Sequence, residues 1–203
     1  MALIIPPYRV SQLSALLTPF LNRVGDQLSQ NFRNILLGAP PDSRYVQLIY
    51  TSGLRQLGEG PDAAKITSTR FLAVLHGHAV AADITERDGS TRISSISSGC
   101  SIVDAIDAID SIRRLPEVQK ADYELHTFSV PGVQTDAYWL KSPTGNNHRF
   151  VPYLTLNKNL QRGTAYSWGD FVKALDEAAK KNIEFYERDM DSAGPYYQPP
   201  QKI

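Results

Sequence analysis

The sequence predicts an α+β fold: a mostly antiparallel sheet of about five strands, an N-terminal helical segment, one embedded helix and a C-terminal helix. Three observations carry this. Apolar residues recur at helical spacing near both ends and once in the middle. Between them lie runs of strand-forming residues bounded by turn chemistry. The connections are short, which favours hairpins over the long crossovers of a parallel sheet.

Taken in order, Leu13, Leu16, Leu17, Phe20, Leu21, Val24, Leu28, Phe32, Ile35 and Leu36 form one apolar stripe. Thr18-Pro19 offers an N-cap and a first-turn proline for a second helix, and Gly38 ahead of Pro40-Pro41 ends it. Tyr45–Tyr50 (YVQLIY) has strand-forming residues, yet Val46, Ile49, Tyr50, Leu54 and Leu57 also follow a helical stripe, and the reading leans to helix. Two strands flank His76-Gly77-His78, Arg87-Asp88-Gly89-Ser90 is a turn, and a strand over 92–96 follows. Ile102, Ala105, Ile106, Ile109 and Ile112 mark an amphipathic helix that ends before Pro116.

Tyr123–Val130 and Val133–Leu140 read as strands around Pro131-Gly132. Arg149–Leu156 is another strand, and its Pro152 points to an edge. Ser167, three residues before Asp170, opens the last helix with a capping-box pattern. The expected organisation is one domain over 1–191 and an extended Pro/Tyr-rich tail over 192–203.

Lysine plus arginine equals 21 and aspartate plus glutamate equals 21, with 42% apolar residues. Neither a basic excess nor a basic stripe is present, so nucleic acid is not an expected partner. No run approaches the roughly 18 apolar residues that cross a bilayer, so no membrane partner is expected either. Cys100 is the one cysteine, which excludes an intramolecular disulfide and suits a reducing compartment. The N-terminal apolar run stops at Pro6, too short for a signal peptide, and the expected location is cytoplasmic. No nucleotide-loop, zincin or nucleophile-elbow motif occurs, and no cofactor is expected.

The candidate sites are constellations rather than motifs. Cys100 follows Ser97-Ser98-Gly99 at a helix start, where backbone N–H groups lower a thiol's pKa. Papain-like thiol enzymes share the order of cysteine on a helix, then histidine on a later strand, then a polar orienting residue. His126 or His148 would be the base, with Asn157 or Asp136 to orient it. The bland alternative is a small residue in a capping turn. His76 and His78 alternate on a strand and could share a metal with Asp83 or Glu86, although surface histidines in a turn are commoner and no metal is assigned. Asp104, Asp107 and Asp110 read as the solvated ridge of a helix. Tyr138, Trp139, Phe150 and Tyr153 lie on neighbouring strands, where they line a pocket, form a partner surface or simply fill the core. Tyr196 and Tyr197 among prolines suit a docking tail.

The segments DAYWLKSP, HRFVPYL and TAYSWGDFVKAL resemble a pattern of bacterial proteins of similar length, in which an ALWL strand precedes a VPL strand and a YSEAEFLAAL-type helix. The resemblance spans about residues 123–180 and implies no activity. His148 is not part of the shared pattern.

These features give a first expectation of a non-catalytic protein-binding or assembly module, possible as a self-associating homo-oligomer because near-zero net charge offers little repulsion between copies. The alternatives are a thiol hydrolase or transferase using Cys100 with His126 or His148, and a small-ligand pocket lined by Trp139, Tyr153 and Phe150.

Overall fold

The computed structural model describes residues 3–5, 10–21, 26–145 and 147–192. It confirms an α+β architecture and enlarges the sheet. The expected five antiparallel strands are eight, in one mixed sheet. They are β1 (Leu3–Ile4), β2 (Arg44–Thr51), β3 (Lys65–Leu75), β4 (His78–Arg87), β5 (Ser90–Ser98), β6 (Tyr123–Val130), β7 (Thr135–Lys141) and β8 (Arg149–Thr155). Their order is β5-β4-β3-β2-β6-β7-β8, with β1 beside β6. The helices are α1 (Val10–Leu21), α2 (Asp26–Gly38), α3 (Cys100–Ile112), α4 (Pro116–Lys120) and α5 (Trp168–Ser192).

The sheet is two antiparallel halves joined by a short parallel seam. Ile49, Tyr50 and Thr51 pair in parallel with Thr127, Phe128 and Ser129. Below that seam β2 and β6 part, and β1 takes the freed edge of β6, pairing Leu3 with Tyr123 and Ile4 with Glu124. A parallel pair needs a long connection, and here β3, β4, β5, α3 and α4 supply it. Short loops therefore failed to reveal the seam, because the chain travels through a whole antiparallel meander before it returns.

The lean to helix for Tyr45–Tyr50 is corrected: this is β2, with Tyr45, Gln47 and Ile49 buried. Pairing on both edges and cover on both faces make a central strand apolar nearly throughout, which blurs its period. Pro19 does not open a helix but sits in the last turn of α1, where Thr18 Oγ1 donates to the Ser14 carbonyl. The turns follow their residues. His76 and Gly77, and likewise Asp88 and Gly89, have positive φ (51°, 76°, 52° and 71°), the signature of two-residue primed hairpins. Pro152 does lie on an edge strand, and the outer edge of β8 is closed by backbone bonds between Phe150 and Tyr166 and from Gly163 N–H to Pro152 O.

One face carries α3, whose buried Ile102, Ala105, Ile106, Ile109 and Ile112 pack on Leu72, Tyr123, Leu125 and Tyr138. The other face is covered in two parts. Helices α1 and α2 lie over β3, β4 and β5 around Leu13, Leu17, Leu36 and Val80. Helix α5 brings Phe171 and Leu175 onto Phe128, Trp139 and Phe150. Its start has the expected cap, with Asp170 N–H donating to Ser167 Oγ and the Ser167 hydroxyl donating to Asp170 Oδ2 at 2.6 Å. No helix is long and apolar enough to cross a membrane among the described residues.

Candidate functional site

Cys100 is exposed at the first position of α3, on the α3 side of the sheet. His126 and His148 belong to the opposite side. His126 is opposite Trp139 in the β6–β7 ladder, and the His148 ring stands 5.3 Å from the Trp139 ring. Trp139 packs in the α5 layer. The sheet thus separates the thiol from both imidazoles that would serve it. The imidazole nearest to Cys100 along the ladder is His78: Val80 pairs with Ser98, and Cys100 and His78 each lie two residues further on. His76 and His78 do not alternate along one strand, because His76 is in the turn and only His78 belongs to β4. Asp83 is engaged by Arg70, and no cluster of three metal-ligating side chains occurs among the described residues.

The aromatic candidates are core. Tyr138, Trp139 and Phe150 are fully buried and Tyr153 is 4% exposed, so they form neither a partner surface nor an open pocket. Trp139 and Phe150 stack at 5.9 Å and 16°, and Phe128 meets both rings edge-on. Tyr138 and Tyr153 face α3, where the Tyr138 hydroxyl donates to the Ala105 carbonyl at 2.8 Å. Burial pushes both phenols above their ordinary pKa. Tyr196 and Tyr197 lie outside the described residues.

What the structure does assemble is His126, His148, Trp139, Tyr50 and Lys141, between the two helical layers. Tyr50 meets His126 at 5.3 Å and Trp139 at 4.9 Å, and the Lys141 ammonium lies 4.8 Å over the indole. His126 Nε2 faces the Glu124 carboxylate at 3.3 Å, which places the proton of the neutral ring on Nε2. Its Nδ1 is buried without a hydrogen-bond partner, as is Trp139 Nε1. Burial lowers the pKa of both histidines and Lys141 adds to this, against Glu124 at His126 and Asp62 at His148.

This has a consequence for stability. Both folded-state values lie below the ordinary imidazole value, so the unfolded chain takes up protons first on acidification. The fold is expected to hold its full stability above about pH 6.5 and to lose it as pH falls through the lowered values. Thermal melts at pH 7.5 and 5.5 check the sign, and His126→Gln should shrink the difference. An equal or larger drop in the variant would assign the effect elsewhere.

On the α3 side the sheet carries a polar row that the sequence reading missed. Arg70 Nε and Nη2 donate to Asp83 Oδ1 and Oδ2 at 2.7 and 2.9 Å, and Ser95 Oγ donates to Asp83 Oδ2 at 3.1 Å. Thr127 Oγ1 donates to Gln47 Oε1 at 3.1 Å, and Ser129 Oγ to Asp136 at 2.6 Å. Burial opposes the Arg70 charge, yet the hydrogen bond to Asp83, with Tyr153 and Asp136 nearby, holds its pKa above the ordinary value. The signal was one charged or amide side chain within each apolar strand: Gln47 in YVQLIY, Arg70 in TRFLAVL and Asp83 in AVAADIT.

A further feature is on the outside. Leu156 is 75% exposed and Phe185 58% exposed. Both line a groove of about 450 Å³ between the β6–β7 turn at Pro131–Val133 and the flank of α5 at Ala178 and Asn182. A second depression, of about 230 Å³, shares Leu156, Asn157 and Ala178 with it. Together they make a continuous trough along α5. Comparison with protein-family models, with curated proteins and with solved structures finds no match to this chain.

Proposed function

We propose that this chain is a non-catalytic protein-binding and assembly module whose first partner is a second copy of itself. The observation that carries the reading is the Leu156–Phe185 trough. Large apolar side chains grouped on an outer groove are costly to leave in water and mark contact surfaces. The rim supports a contact between identical copies. Lys158, Glu177 and Lys181 border the trough, with Lys181 Nζ 2.6 Å from Glu177 Oε1. Charges of both signs on one patch let a two-fold contact set each opposite its complement. The zero formal net charge adds no long-range repulsion.

Size-exclusion chromatography with light scattering is the test. Wild-type protein should approach twice the 22.5 kDa chain mass as concentration rises. Leu156→Asp should weaken association at least tenfold, about 1.4 kcal/mol, and leave the circular dichroism unchanged because the side chain is exposed. A wild-type protein that stays monomeric at several hundred micromolar would overturn self-association.

A further inference from the structure

We propose that a cavity at the β3–β4 hairpin binds an anionic small molecule, a carboxylate or phosphate head on an apolar body. The cavity, of about 710 Å³, opens at the end of the sheet where α2 and the start of α3 flank the turn. That volume is in the range of small-molecule sites, about 300–1,000 Å³. The primed turn at His76-Gly77 closes the hairpin in two residues, and His76 and His78 are both exposed in the cavity lining. Neither imidazole has a hydrogen-bond partner among the described residues.

Asn31 and Asn34 of α2 share the lining, three residues apart and so on one side of the helix. Gln30 Nε2 donates to Asn34 Oδ1 at 3.5 Å, so the Asn34 amide nitrogen is not used by that bond. Ser98 adds a hydroxyl. The polar lining is therefore rich in donors, and no aspartate or glutamate is among the lining residues. An anion meets N–H and O–H groups there with no fixed charge to repel it. The rest of the wall is apolar, with Phe32 and Ile35 on one side and Val103 on the other, and takes the body of the ligand. This site shares no residue with the α5 trough and does not depend on self-association.

The test is a fluorescence titration of the full chain with 8-anilinonaphthalene-1-sulfonate, an anionic head on an aromatic body, with inorganic phosphate as competitor. Saturable binding of one equivalent, displaced by phosphate, is expected. His76→Asn combined with His78→Gln should weaken it at least fivefold; asparagine tolerates the positive φ of position 76. Val103→Glu, at a partly exposed position, should weaken it at least tenfold. Leu156→Asp should leave it unchanged. The proposal is overturned if binding is not saturable, if both cavity variants titrate like wild type, or if neutral N-phenyl-1-naphthylamine binds as tightly as the sulfonate.

Discussion

Asp83→Ala is expected to destabilise the fold by about 3–5 kcal/mol, the cost of leaving a buried charge without its partner. Arg70 is 17% exposed and Asp83 14%, and both bonds of the pair are short and bidentate. Removing the carboxylate strands a guanidinium on the sheet with the Tyr153 hydroxyl, 3.5 Å from Nη1, as a remaining neighbour. Alanine also removes the acceptor of Ser95 Oγ. For a chain of this size the loss corresponds to roughly 10 °C in Tm. Replacing the pair together, Arg70→Met with Asp83→Leu, should cost far less, because no unpaired charge remains. Thermal and urea denaturation of the single and double variants gives the comparison. A double variant as unstable as Asp83→Ala would mean that the pair contributes net stability, not only mutual compensation.

Phe128→Ala should be comparably severe, at about 3–5 kcal/mol. Phe128 is fully buried at the centre of the α5 layer. Its ring meets Trp139 at 5.9 Å, Phe150 at 5.2 Å, Trp168 at 5.5 Å and Phe171 at 6.2 Å, all edge-on. These neighbours come from β7, β8 and α5, so the surroundings cannot collapse into the void without moving three elements. Near-UV circular dichroism should lose intensity with stability, since both tryptophans in the chain touch the deleted ring. A loss below 1.5 kcal/mol would show that the layer repacks freely.

How far the sequence foretells this structure depends on the range of the determinant. Features set by neighbouring residues were legible. Asp88-Gly89 specified its turn, Ser167 with Asp170 its helix start, and the isoleucines of α3 their buried stripe. Features set by distant residues were not. YVQLIY became a strand because β3 and β6 pair with it, and both lie beyond the residues over which its own period is read. The two residues of β1 carry no period to detect. Trp139 and Phe150 were legible as neighbours on two strands, but whether that side faced solvent was decided by α5. For the same reason the Arg70–Asp83 pair showed in sequence only as polar residues out of place, while the exposed Leu156 looked like the end of an ordinary strand.

The parallel seam between β2 and β6 also orders the way the chain can form. Strands β3, β4 and β5 are successive hairpins, as are β6 and β7, so each half of the sheet assembles from contacts near in sequence. The pairing of Ile49–Thr51 with Thr127–Ser129 must instead close a loop that contains one entire half and α3. That closure costs entropy before it returns any contact. The hairpins of each half are therefore expected to form ahead of the seam, which α3 then locks by packing on both halves.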